Sequence, residues 1–150
     1  MDVIKVGTKA PDFILEDGFG KVVKLSDYRG QQVLLSWHPL ASTSVCTDQM
    51  RALEAHYEEF AAKNTVPIGF SVDPAPSKKA WASVLSIEET PLVSDFFPLG
   101  KVSQDYGVFL EKQGFSGRAN VLVDENGIVK WSKVYRSSEL PDINEVLAAL

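Results

Sequence analysis

Val33-Leu34-Leu35-Ser36-Trp37 is a short, nearly continuous apolar run, the pattern of a strand covered on both faces. From about Ser44 to Ala62, Met50, Leu53, Tyr57, Phe60 and Ala61 recur at helical spacing, the stripe of a helix lying on a sheet. Val66 to Val72 is a second apolar run, with Pro67 near its start, where a missing ladder donor costs least. Strand, helix and strand in this order predict a layered α/β domain.

The rest of the chain fits around that unit. Phe13-Ile14-Leu15 and Val22-Val23-Lys24-Leu25 flank Asp17-Gly18-Phe19-Gly20 and predict an N-terminal β-hairpin, followed by a short helical turn at Ser26 to Gly30. A turn at Asp73 to Ser77 leads into a helix through about Leu85; Leu92 to Ser94 reads as a strand and Gly100 to Tyr106 as a short helix. Gly114 to Gly117 reads as a flexible loop. Arg118 to Val123 and Ile128 to Tyr135 form a hairpin about Asn126-Gly127, and Leu140 to Leu150 closes the chain as a helix. The expectation is a single domain over residues 1–150, with a central mixed β-sheet flanked by helices.

Composition narrows the function. A chain of 150 residues, 45% hydrophobic, suits one core. A net charge of −5 argues against an extended nucleic-acid surface. The densest basic spot, Lys78-Lys79, reads as a solvated helix face. Met1 to Lys5 has no apolar signal region and no stretch approaches the roughly 20 apolar residues that span a bilayer, so a cytoplasmic protein off the membrane is expected. With one cysteine, two histidines and no phosphate-binding glycine loop, neither a metal nor another cofactor is expected.

The one cysteine, Cys46, stands where a loop beginning at Pro39 runs into the predicted helix. A thiolate is the reactive form of cysteine, and the free N–H groups of a helix's first turn favour it. Thr43 lies three residues before the sulfur, and Pro39 stiffens the approach. The bland alternative is a buried small hydrophobe.

Pro39-x-x-x-Thr43-x-x-Cys46 resembles the active-site signature of the peroxiredoxins, thiol peroxidases on a thioredoxin-like fold. Gly7 to Phe13, Asp27-Tyr28-Arg29-Gly30, and Arg118 followed by Val121-Leu122-Val123-Asp124 resemble further family segments. Ser94-Asp95-Phe96-Phe97-Pro98 with Tyr106-Gly107-Val108 is similar to the alkyl hydroperoxide reductase E type, which works with one cysteine. The resemblance implies that Cys46 attacks a hydroperoxide and becomes a sulfenic acid. No second cysteine is present to resolve it, so an external thiol or small redox protein is implied as reductant, and a homodimer or higher homo-oligomer as the assembly.

Ionisation alone does not make a fast peroxidase. An ordinary thiol is about 3% ionised at pH 7, so full ionisation gains about thirtyfold, about 2 kcal/mol, and a lower pKa also weakens the nucleophile. Groups that stabilise charge moving along the O–O axis are therefore required. Arg118, a permanent cation with a planar fork of donors, matches the family's essential arginine. Thr43 is expected to bond the peroxide or to cap the helix, and Pro39 to bound the pocket. Gln49 stands where a glutamate is frequent, keeping hydrogen-bond capacity without the carboxylate. His38 is a possible thiolate partner when protonated, which would make activity pH-sensitive. It also raises a rival, a Cys–His hydrolase; ten residues of helix put His56 about 15 Å along the axis from Cys46, which argues against it as the partner. A non-catalytic holdase is the other alternative, with Phe96-Phe97-Pro98-Leu99 and Trp81 as an apolar patch.

Overall fold

A computed structural model describes residues 1–150. In chain order the elements are β1 (Ile14–Glu16), β2 (Val22–Lys24), a 3-10 turn (Leu25–Tyr28), β3 (Gln32–Trp37), α1 (Ser44–Ala55), α2 (Tyr57–Ala62), β4 (Thr65–Ser71) and α3 (Ala75–Leu85). These are followed by β5 (Leu92–Ser94), α4 (Lys101–Asp105), β6 (Phe109–Leu110), β7 (Phe115–Ser116), β8 (Arg118–Val123), β9 (Val129–Tyr135) and α5 (Ile143–Ala149). The main sheet has the order β5-β4-β3-β8-β9. β3 is parallel to β4 and antiparallel to β8, so the sheet is mixed and β3 is its centre. β1 and β2 form the expected N-terminal hairpin.

Every residue of β3 is buried, which explains its nearly continuous apolar character. Alternation along the strand sends Val33, Leu35 and Trp37 to one face and Leu34 to the other. The first face packs Phe13 and Val23 of the hairpin region together with Tyr106 and Val108. There Trp37 stacks on Phe70 with centroids 4.6 Å apart, meets Tyr106 at 5.2 Å, and donates its indole N–H to Ser103 Oγ at 3.1 Å. The second face carries the helices: Cys46, Met50 and Leu53 of α1, Phe60 of α2, Trp81 and Ala82 of α3, and Val146 of α5.

The structure departs from the sequence expectations in four places. The helix expected from Ser44 to Ala62 is two helices, because His56 leaves helical geometry (φ −104°, ψ 15°) and redirects the chain so that Phe60 enters the core. The segment expected as a loop at Gly114 to Gly117 carries β7, paired antiparallel with β6, with Gly114 in the left-handed region at φ +76°. Lys78 is not solvated: it shares the inward face of α3 with Trp81 and Ala82 and is fully buried, while Lys79 is exposed. Trp81 is likewise core, 5% exposed, whereas Phe96, Phe97 and Leu99 do form an exposed apolar patch.

One clasp holds the helix layer to the sheet edge. The Glu54 carboxylate on α1 accepts N–H bonds from Glu88 (2.7 Å), Glu89 (3.1 Å) and Thr90 (2.9 Å), and the Thr90 hydroxyl at 2.9 Å. Burial pushes this carboxyl up, but the four donors outweigh it and hold its pKa below the ordinary value. Its contribution is therefore complete above the unfolded-state pKa of 4.5 and is lost as pH falls through the lower folded value. Glu54→Ala is expected to cost about 1–2 kcal/mol at neutral pH. In urea unfolding, the gap from the parent protein should close on acidification below the ordinary carboxylate range.

Candidate active site

The loop between β3 and α1 delivers the nucleophile. β3 ends at Trp37, Pro39 turns the chain outward, and α1 opens with Ser44-Val45-Cys46, so Cys46 lies in the helix's first turn. The first helical bond after the cap runs from Thr47 N–H to Thr43 C=O at 2.9 Å, which leaves the amides of Ser44 to Cys46 without intrahelical acceptors. Ser42 sits in the left-handed region at φ 66°, an uncommon conformation for a side-chain-bearing residue and part of how the loop turns. Asp73 holds the loop from behind, accepting the Ala41 N–H at 2.8 Å.

The sulfur is 1% exposed as a residue and faces the guanidinium of Arg118, with both Nη1 and Nη2 at 3.5 Å. Arg118 is the first residue of β8, next to β3 in the sheet, and this adjacency brings positions 46 and 118 together. The guanidinium is fixed on its other sides. Nη1 donates to Gln49 Oε1 at 2.6 Å, and Nη2 and Nε donate to the Ser137 carbonyl at 2.7 and 3.3 Å. Because arginine has donors only, Gln49 must turn its oxygen towards it. The Gln49 amide nitrogen then donates to Ser36 Oγ at 2.8 Å and to the Trp37 carbonyl at 3.2 Å. A carboxylate could not make that last bond, so the amide suits this frame and also leaves the positive charge of Arg118 undivided.

A pocket of about 220 Å³ opens on this arrangement, lined by Pro39, Thr43, Cys46, Arg118 and Ser137 among others. The four residues assigned catalytic roles from the sequence thus share one pocket. Thr43 occupies the N-cap position of α1 but makes no side-chain capping bond: its hydroxyl donates to the Leu40 carbonyl at 2.8 Å, which leaves the hydroxyl oxygen as an acceptor at the pocket wall. His38 is turned elsewhere. It is fully buried, and its Nε2 meets Lys78 Nζ at 2.9 Å, with Trp81 at 5.1 Å between ring centroids. Burial, and then the positive charges of Lys78 and Arg118, press its pKa well below the ordinary value, so it is neutral in the working range. The hydrogen-bonding partner of the Cys46 sulfur is Arg118, so neither the protonated-histidine contact nor a hydrolase Cys–His pair is formed. His56 pairs with Glu59 at 2.6 Å.

Sequence reasoning missed Ser137, Lys78 and Asp73. Ser137 acts through its backbone carbonyl, which carries no sequence signal. Lys78 was detectable in principle, because it lies three and four positions before Trp81 and Ala82 and so on their face of the helix.

A thioredoxin-like sheet with a helix-start cysteine held against a buried arginine defines a redox-active thiol site. Residues 6–132 match the model of the AhpC/TSA family. The chain is 39% identical over 152 residues to alkyl hydroperoxide reductase E of Mycobacterium tuberculosis, covering 99% of each. It is 35% identical to the mitochondrial thioredoxin-dependent peroxide reductase of Drosophila melanogaster, covering 96% of this chain and 64% of that one. The reduced 2-Cys peroxiredoxin of Plasmodium vivax superposes with a TM-score of 0.87 at 31% identity, covering 95% of this chain and 78% of that one. The chain belongs to the AhpC/TSA family, the peroxiredoxins, and is a thiol-dependent peroxidase.

Gln49→Leu tests how Arg118 is held. The substitution removes the Nη1 acceptor while leaving Cys46 and Arg118 in the chain. A guanidinium free to drift from the sulfur is expected to lower the second-order rate constant with peroxide about tenfold or more, since small misplacements of reacting groups are costly. Gln49→Glu should restore the acceptor but pair with the charge, giving an intermediate rate when peroxide oxidation is followed by stopped flow.

Proposed function

We propose that the protein reduces hydrogen peroxide or organic hydroperoxides by a one-cysteine cycle in which Cys46 is the nucleophile, Arg118 and Thr43 bind the peroxide, and Pro39 shields the sulfur. The observation that carries this reading is the pair of guanidinium N–H groups 3.5 Å from the Cys46 sulfur inside the pocket that also holds Thr43.

The chemistry follows from those positions. The Cys46 thiolate attacks the distal oxygen of the hydroperoxide; an S–O bond forms, the O–O bond breaks, and its electron pair leaves with the departing oxygen, which takes up a proton as water or alcohol. Negative charge moves from sulfur towards the leaving oxygen, and Arg118, as a cation with several donors, follows it from one end to the other. Thr43 gives its own proton to Leu40, so it receives the proton of the bound hydroperoxide and orients it. The sulfenic acid is then condensed by an external thiol to a mixed disulfide and water, and a second thiol releases Cys46. The one cysteine of the sequence supports an external rather than an internal resolving group. A homodimer or higher assembly built on the Phe96, Phe97 and Leu99 patch, 50%, 86% and 48% exposed, completes the reading, with the cytoplasm as the compartment.

Reduced protein treated with one equivalent of peroxide should gain a single oxygen by mass spectrometry, and Cys46→Ser should gain none. Arg118→Ala is expected to slow the oxidation by about 100-fold or more, beyond the about thirtyfold that lost ionisation alone could explain. A parent rate no faster than that of a free thiol would overturn the assignment of Cys46, and an unchanged rate for Arg118→Ala would remove that residue from the mechanism.

A further inference from the structure

The peptide group that joins Leu40 to Ala41 is held at both ends. Its carbonyl accepts the Thr43 hydroxyl at 2.8 Å, and its N–H donates to Asp73 Oδ2, also at 2.8 Å. The C=O and N–H of a trans peptide point in opposite directions, so Thr43 and Asp73 pull on opposite sides of one rigid plane. Ser42 makes this possible: with φ at 66° it turns the chain back, and the Thr43 side chain meets the carbonyl three residues before it. Thr43 lines the Cys46 pocket, whereas Asp73 belongs to the turn between β4 and α3.

Asp73 is itself fixed. Ser71 Oγ donates to the same Oδ2 at 2.6 Å, and Ser94 Oγ on β5 donates to the Asp73 carbonyl at 2.6 Å. Lys78 gives one of its N–H groups to Ser71 Oγ at 2.7 Å, which leaves the serine's own proton for the carboxylate. From the pocket outward the bonds run in one sense, hydroxyl to carbonyl and then N–H to carboxylate. A peptide whose N–H is bonded to a charged acceptor has a more strongly accepting carbonyl, so the far end of the row bears on the near end.

We propose that Asp73 is a positioning residue of the peroxidase site: through the Leu40–Ala41 peptide it holds the Thr43 hydroxyl proton away from the pocket, so that Thr43 meets a hydroperoxide as an acceptor only. The inference rests on the peroxidase reading above, in which Thr43 receives the proton of the bound hydroperoxide. A threonine hydroxyl left to itself can donate or accept. Only the accepting state fixes the side on which the hydroperoxide carries its proton. Without Asp73 the peptide plane is free to swing and the hydroxyl to turn towards the substrate, which then reaches Cys46 in more than one orientation.

Deuterium exchange tests the anchor without a variant. The Ala41 amide of the parent should exchange at least about tenfold more slowly than an unprotected amide, and exchange at the unprotected rate would overturn the proposal. Peroxide oxidation of Cys46 tests the route. Asp73→Ala should be slower by about fivefold, while Asp73→Asn, which keeps an oxygen for Ala41 and Ser71, should stay within about twofold of the parent. In a Thr43→Val background, where there is no hydroxyl to orient, Asp73→Ala should change the rate by less than about 1.5-fold. A parent-like rate for Asp73→Ala, an equal loss with and without the Thr43 hydroxyl, or an Asp73→Asn as slow as Asp73→Ala would each overturn the proposal. Failure of the peroxidase reading would appear in the parent itself, as a rate no faster than that of a free thiol, whereas failure of this inference appears in the amide exchange and in the ratios between variants.

Discussion

Arg118 cannot surrender its charge, and it is buried in a protein that offers it no carboxylate partner at the site. Its guanidinium is instead met by neutral acceptors, Gln49 Oε1 and the Ser137 carbonyl, and by a sulfur that is able to become negative. A buried cation without an anion is a standing electrostatic debt, and the group best placed to settle it is the Cys46 thiolate. The site thereby holds two N–H donors against the sulfur before any substrate arrives. Gln49 holds the guanidinium without adding a counter-charge, so the positive charge of Arg118 stays undivided.

That arrangement depends on the sheet. β3 places Ser36 and the Trp37 carbonyl to hold Gln49, and its antiparallel neighbour β8 begins at the height where Arg118 can reach the start of α1. The parallel neighbour β4 ends at Ser71, which anchors the opposite side of the same loop through Asp73 and Lys78. The two strands flanking β3 thus each brace one side of the Cys46 segment, one through an arginine and one through a lysine. Two cations converge on one small loop, of which one is permanent and the other is able to lose its proton.

Most of the fold was legible because its signals are local. The apolar run at 33–37, the stripe on the first helix and the Asn126-Gly127 turn each dictate a conformation with little help from the rest of the chain. The Pro39, Thr43, Cys46 and Arg118 set was legible through its pattern. What escaped was what depends on three-dimensional neighbours. The break at His56 has neither glycine nor proline to announce it. A lysine beside a second lysine reads as surface until the helix is rotated and Trp81 and Ala82 are found on its side. The role of His38 stayed open in the sequence for the same reason: its partner, Lys78, is forty residues away on α3. Main-chain acceptors such as the Ser137 carbonyl leave no trace in residue identity at all.

The division of the aromatic residues between the two faces of the sheet has an optical consequence. Trp37 is sealed on the far side, stacked on Phe70 and tied to Ser103, insulated by β3 itself from events at the sulfur. Trp81 belongs to the same core cluster as Cys46, touches the His38 ring, and lies beneath the Lys78 ammonium at 5.5 Å from its centroid. Indole emission responds to nearby charge, so the chain holds a detector beside its redox centre and a shielded reference behind it. Changes in intrinsic fluorescence during turnover therefore arise on the helix face of the sheet, from Trp81 and from Trp131, which packs against the same cluster, and not from Trp37.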